Sequence, residues 1–467
     1  MTIIHARAYF GKRGQGACDY LYTPFVQGLY RFGLGNAPSW LLNVMIPNLM
    51  LFRLRASLFN SLDGKVFYGW VVVGVSSLVM FGSGPGQSHL IGLFFDPISA
   101  EFGLSRTSIA LAYGGATLIA ALLLPQMGKF VDQNGPTRTL WMVIVGIGLS
   151  CVLLSFANSW LYLAVGFAAL RFLGQGSLML NCANLVSHWF ERRRGFAIGC
   201  MALGFPVSIA LHPPLVQGMI EWLGWRQTWV WLGLATWGML LPPVLLLLWN
   251  RPEEKGQQPD GAVAPTDGAP PLKVTGLTLA EALKTPTFYI IAAGLATLSM
   301  LVTALHVENK GILTRHGLDP QMAANMFAVT GVTAAIAMPL VGRMLDRFPT
   351  KWMFLGGQLI VAASLLSVTF VSSLWGAVGY AMIFGLCNGI GMTYISFMWP
   401  RYFGRKHLGE IQGTGQMIGI VGASLGPLPL AIAIDATGDY DMTLRFLAFI
   451  PLTCAVLALR LKSEAPH

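Results

Sequence analysis

PQMGKFVD, residues 125 to 132, returns as PLVGRMLD, residues 339 to 346, with Pro, Gly, a cation and Asp at the same spacing. Two more pairs keep the same order. FGL at 102 to 104 returns as HGL at 316 to 318, and RFLGQGSLM from Arg171 aligns with FGLCNGIGM from Phe384. The chain is therefore built from two similar halves that follow one another in the same sense.

Outward from each copy the sequence is apolar. A helix crosses a hydrocarbon core of roughly 30 Å with about 20 apolar residues. Stretches of that length fall at 68 to 95, 107 to 127, 139 to 157, 161 to 187, 196 to 219 and 228 to 249 in the first half. The second half supplies 287 to 306, 322 to 341, 353 to 372, 376 to 398, 411 to 434 and 443 to 460. The expected fold is an all-α membrane protein of twelve transmembrane helices in two six-helix pseudo-repeats. Composition agrees: 54% of the 467 residues are hydrophobic and 11% charged, against about 25% charged in a soluble domain.

A net charge of +10 raises the question of a nucleic-acid partner, which the placement of the charges answers. Basic residues crowd alternate connections: Lys129 and Arg138, Arg192 to Arg194, Arg251 and Lys255, Arg343, Arg347 and Lys351, then Arg401, Arg405 and Lys406. By the positive-inside rule these connections and both termini are cytoplasmic, in a cell (inner) membrane, and no nucleic acid is implied. The opposite connections hold Arg106, Arg226, Lys310, Arg315 and Arg445 beside Asp96, Glu101, Glu221, Asp319, Asp439 and Asp441. The six cysteines have neither metal-ligand spacing nor a disulfide pattern, and read as small core residues.

Residues 1–65 form a basic extension without the pattern of a cleavable signal peptide. Its apolar stretch Trp40 to Phe52 is too short to span. It is either an interfacial anchor or sequence upstream of a true start at Met45 or Met50. Residues 66–250 make the first bundle, 251–285 a polar linker (RPEEKGQQPDGAVAPTDGAPPLK), 286–462 the second bundle and 463–467 a tail.

GKFVDQNGPTR, Gly128 to Arg138, resembles the loop between the second and third helices of the major facilitator superfamily, with Gln133 in place of the usual cation. Parallel six-span repeats are a pattern of that superfamily. WFERRRGFAIGCMALG, Trp189 to Gly204, resembles the fifth-helix signature of the monocarboxylate transporter family, and GWR at Gly224 to Arg226 also resembles that family and its bacterial oxalate/formate relatives. DGKVFYGW, Asp63 to Trp70, is only loosely similar to the family's first-helix signature. The resemblance implies gating roles for Gly128, Asp132 and Arg138, and for Gly342, Asp346 and Arg347 in the second copy. Gly199, Ala202 and Gly204 would let the fifth helix pack or rock closely against a neighbour.

An ionisable group at membrane depth is costly, and so a candidate for function. Arg171 sits inside the fourth span among Leu170, Phe172 and Leu173, with Gln175 one turn on. Its repeat counterpart is the uncharged Phe384, while Gln175 aligns with Asn388. Arg171 reads as an anion receptor, with a structural arginine bonded to helix carbonyls as the rival. His89 falls within about a residue of the family's substrate-sensing lysine in the first helix, and His306 lies within a turn of the repeat-equivalent place. A histidine titrating near pH roughly 6.5 at such a place can bind a proton and attract a carboxylate, although buried histidines also serve as hydrogen-bonded core residues. His212, before Pro213 and Pro214, reads as a helix-break residue.

One departure is large. The family's eighth helix presents an Asp and an Arg, and the matching places here are Ala334 and Met338. The expectation is a transporter that moves a small organic anion, a monocarboxylate, together with protons. The substrate-binding set is Arg171, His89, His306, Gln175 and Asn388; no cofactor or metal is implied, and the oligomeric state is open. An exporter or exchanger of another solute is the alternative, with a sensor or intramembrane enzyme as the alternative of another class.

Overall fold

The computed structural model describes residues 67–190, 193–255, 257–261, 276–404 and 408–461. The extension over 1–65, with Cys18 and the Trp40 to Phe52 stretch, lies outside the described residues, as do Arg192, Arg405, Lys406, much of the linker and the tail. All the described helices belong to the compact unit Leu62–His467.

Among the described residues ten helices are long and apolar enough to cross a membrane. One of them, Gly195–Leu247, contains two spans, because Gly224 at φ +79° turns the chain between the fifth and the sixth. A residue with a Cβ resists that backbone conformation. The first span makes the twelfth. Its leading helix, Gly69–Phe81, is too short to cross alone, and a run of short turns continues it through Gly84–Gly86, Ser88–Ile91, Gly92–Phe94 and Phe95–Phe102. The expectation of one uninterrupted span at 68 to 95 is corrected by this break. Gly82, Gly84 and Gly86 carry no helix preference, and Pro85 has no N–H to donate.

Other boundaries move too. The second span is Arg106–Asn134 and the third Pro136–Leu154, so the Gly128 to Arg138 segment is two helix ends joined at Gly135 (φ +80°) rather than a loop. The seventh span runs on to Arg315 and the eighth, Pro320–Arg347, contains Gly342, Asp346 and Arg347. The helix also continues through Pro213 and Pro214, so His212 does not mark a break.

The halves meet backbone to backbone at small residues, the arrangement that lets helices approach closely without large side chains between them. A Cβ on Gly331 of the eighth span would lie 2.5 Å from the Pro206 carbonyl oxygen of the fifth. One on Gly114 of the second span would lie 2.6 Å from the Ser424 oxygen of the eleventh.

GWR, which sequence alone tied only to a resemblance, has a physical use. The Trp225 indole donates to Glu101 at 2.6 Å, and the Arg226 guanidinium donates to Glu101 at 2.6 and 3.1 Å and to the Ser155 carbonyl at 2.6 Å. The start of the sixth span thus clamps the end of the first. The bonds from Arg226, then from Trp225, hold the Glu101 carboxyl below the usual carboxylate range. A lowered folded pKa contributes stability above the ordinary value of about 4.3, lost as pH falls through the folded value. Because Glu101 is 43% exposed the effect is small. Glu101→Gln should lower the melting temperature at pH 7 by on the order of 1 °C, and the two proteins should converge only as the pH falls through the lowered folded value, beneath the ordinary one of about 4.3; a thermal melt in detergent across pH measures it.

Candidate functional site

The break in the first span builds the site. Past Gly86 the chain is extended at Gln87 (φ −98°, ψ 150°) before Ser88–Ile91. The Gly86 carbonyl is thereby released from a regular helix ladder, and the Ser88 hydroxyl stands beside it at the start of the next turn. Both turn to Arg171. Its Nη1 donates to the Gly86 oxygen at 2.9 Å and to Ser88 Oγ at 3.3 Å, and its Nε donates to Thr117 Oγ1 at 3.1 Å. The Tyr113 ring lies 5.0 Å from the guanidinium carbon, and Tyr113 Oη meets Ser88 Oγ at 2.7 Å.

Close approach makes these contacts possible. A Cβ on Gly86 would sit 2.5 Å from the Leu170 oxygen and 2.7 Å from Gly174 Cα. Arg171 itself opens a π-helical turn, Arg171–Ser177, within the fourth span. Such bulges are frequent at functional sites. Arg171 is 1% exposed and its Nη2 has no hydrogen-bond partner. Among the described residues no carboxylate forms an ion pair with it. The structural role foreseen as a rival is present in the Gly86 bond, and it leaves one face of the guanidinium unused.

His89, three residues past Gly86, is 1% exposed. Its Nε2 faces Ser208 Oγ at 3.3 Å, and that hydroxyl meets His212 Nδ1 at 2.8 Å. His212 stacks on Phe81 at 4.5 Å. His306 comes from the seventh span, in the other half, and its ring centre lies 5.8 Å from that of His89. Phe327 at 6.0 Å and Phe384 at 4.9 Å enclose the His306 ring. Both His89 Nδ1 and His306 Nε2 are buried without a partner.

Three polar nitrogens are thus enclosed without a partner: Arg171 Nη2, a donor, within the first half, and His89 Nδ1 and His306 Nε2, which donate when their rings carry a hydrogen there, where the halves meet. An acceptor-rich anion such as a carboxylate supplies what they lack. Gln175 is half-buried on the same π-turn, whereas Asn388 is buried and donates to its own helix at Phe384 O, 2.9 Å. Ala334, at the place of the family's Asp, is also buried. Among the described residues no group of three or more His, Cys, Asp or Glu is arranged to hold a metal ion.

The gating set is less connected. A Cβ on Gly128 or Gly342 would meet nothing within 4 Å, so close helix approach at these glycines is absent here. Gly199 is equally open, while a Cβ on Gly204 would lie 2.0 Å from the Ser77 oxygen of the first span. Arg138 and Arg347 are exposed, and the side chains of Asp132 and Asp346 lie outside the described residues.

A second polar centre went unread in the sequence. At the end of the bundle opposite the basic connections, Arg106 contacts Asp96, Glu308 and Tyr440. Lys310, expected in a loop, is instead 5% exposed inside the seventh span, with its Nζ 3.1 Å from Asp96 and 3.2 Å from the Leu93 oxygen. The Asp435 carboxylate accepts from the backbone N–H of Arg106 and of Thr107 at 3.2 and 2.7 Å. The missed signal was VENKG after His306: three polar residues at the end of an apolar run, read as a span already finished.

A family model for the Major Facilitator Superfamily matches residues 76–313 and 309–467. Monocarboxylate transporter 11 of Mus musculus is 27% identical over 393 residues, covering 80% of this chain and 83% of that protein. Monocarboxylate transporter 6 of Homo sapiens is 25% identical over 422 residues, covering 84% and 80%. Among solved structures, the fold matches an inward-facing, occupied bacterial homolog of the human lysosomal transporter Spinster, with a TM-score of 0.65, 16% identity, and coverage of 84% of this chain and 96% of that one.

Proposed function

The chain belongs to the major facilitator superfamily, and from that premise we propose that it carries a small organic anion, a monocarboxylate, together with protons by alternating access. Membrane transport follows from the family and from the relatives named above; the substrate and the coupling are our reading. The observation that carries it is Arg171: a fully buried guanidinium whose Nη2 has no partner and which no described carboxylate neutralises. Burying an unpaired charge is expensive, and a bound anion removes the penalty.

In this reading Arg171 fixes the carboxylate, His89 and His306 take up or sense protons across the seam between the halves, and Gln175 and Asn388 border the substrate. Asp132 with Gly128 and Arg138, and Asp346 with Gly342 and Arg347, latch the end that carries the basic connections. That end is assigned to the cytoplasm by its cations, with both termini on the same side.

The test is reconstitution in liposomes. An inward proton gradient should drive uptake of labelled lactate or pyruvate, and its collapse should return uptake to the passive level. His89→Gln and His306→Gln should each cut gradient-driven accumulation by about tenfold for a gradient of one pH unit while leaving gradient-free exchange, the effect of removing one coupled proton. Gradient-independent uptake would overturn the coupling. The reading of an exchanger of another solute is favoured by one observation, Ala334 and Met338 in place of an Asp and Arg pair; counterflow with oxalate and amphipathic solutes tests it.

A further inference from the structure

The polar centre at Arg106 is separate from the anion site, and its charges are divided unequally between the halves. Asp96 and Arg106 belong to the first half; Glu308, Lys310, Asp435 and Tyr440 belong to the second. Arg106 bridges them. It bonds Asp96 in its own half and Glu308 in the other, with Tyr440 Oη 2.8 Å from its Nη1 and donating to Glu308 Oε2 at 2.9 Å. Gly311 makes room, since a Cβ there would lie 2.6 Å from Arg106 Nη1. Glu308 is 0% exposed, and its second oxygen, Oε1, has no partner.

Alternating access requires the halves to part at this end, and parting separates these charges in a defined way. Arg106 leaves with Asp96, a pair complete within the first half. Lys310 loses Asp96, the Leu93 carbonyl and the Gln217 side chain at 3.4 Å. It does not replace Arg106, because residues two apart on a helix do not face each other. Glu308 is left with the Tyr440 hydroxyl as its sole donor and with no cation. A carboxylate in that state takes a proton rather than remain charged.

We propose that Glu308 is a proton-binding site of the transport cycle: it takes one proton from water on the Arg106 side when the halves part there, and, when Arg106 docks again and that end closes, gives it up to water in the cavity then open toward the basic connections. The groups facing it are Arg106 from the second span, Asp96 from the first and Tyr440 from the segment opening the twelfth. Proton uptake at Glu308 is thereby tied to opening on the side opposite the basic connections, one proton at this site per cycle in addition to any held at His89 and His306. The inference deepens the proton-coupled reading and rests on it for the direction of coupling.

Hydrogen exchange in nanodiscs without any substrate tests it, so failure of the monocarboxylate reading leaves the result untouched. After correction for intrinsic rates, amides of 92–94 and 307–311 should exchange roughly tenfold faster per pH unit of acidification, the slope of a one-proton linkage. Glu308→Gln should remove the slope and exchange fast at every pH, and Glu308→Asp should keep a slope with a moved midpoint. If Glu308→Gln fails to fold, Arg106→Gln must also abolish the slope. A wild-type slope of zero, or an unchanged slope in either variant, overturns the proposal.

Discussion

Arg171→Gln should take up labelled lactate no faster than protein-free vesicles while melting no lower than the parent. Glutamine keeps the same stem to Cδ and places an amide near the position of Nε, beside Thr117 Oγ1. What it lacks is the charge and the free Nη2. Two charge-assisted hydrogen bonds of about 1.5–3 kcal/mol each amount to about 3–6 kcal/mol, which is about 10²- to 10⁴-fold in affinity. Removing a buried charge that has no ionic partner relieves a desolvation cost, so stability should hold or rise. Arg171→Lys should recover little, because an ammonium cannot reproduce the planar fork that reaches Gly86, Ser88, Thr117 and an anion together. Uptake by Arg171→Gln within a few-fold of the parent would remove the site's anchor.

The second large effect is expected at Gly92. A Cβ there would stand 2.1 Å from the Val307 oxygen and 2.8 Å from Val307 C and Cα, so backbone meets backbone and no side chain can swing away. The first and seventh spans must part to admit even alanine. Overpacking of this kind costs about 1–3 kcal/mol, and here the cost falls only on the state in which the halves touch. Gly92→Ala should therefore shift the population toward opening at the Arg106 end by roughly 5- to 150-fold. Net uptake should fall accordingly, and exchange of amides 305–313 should quicken. Gly74→Ala, with nothing within 4 Å of its Cβ, is the control. Parent-like uptake in Gly92→Ala would mean that the contact is not part of the cycle.

Much of the architecture was readable because it is written in local, repeated features. Apolar runs of span length and the paired PQMGKFVD and PLVGRMLD segments need no knowledge of distant contacts. Arg171 stood out for the same reason: a lone cation in an apolar run is visible without a structure. Its partners were not, since Gly86, Ser88 and Thr117 come from two other spans and are united only by folding. The break at Gly82 to Gln87 had a visible signal, GSGPG, but average hydropathy passes over it because glycine is not strongly polar. Glu308 and Lys310 were hidden by the opposite error. Their charges suggested that the seventh span had ended, whereas cross-half pairing with Arg106 and Asp96 keeps them buried. His212 was misread because its proline neighbours suggested a break, and the helix runs through them while Ser208 and Phe81 hold the ring.

The central claim is that a buried, unsatisfied guanidinium receives a negatively charged substrate. Binding of lactate and of its neutral analogue lactamide to the purified protein, followed by calorimetry, tests this without any assumption about coupling or direction. Lactate should bind the parent and not Arg171→Gln, and lactamide should bind neither; equal binding of lactate and lactamide, or full lactate binding by Arg171→Gln, would contradict it.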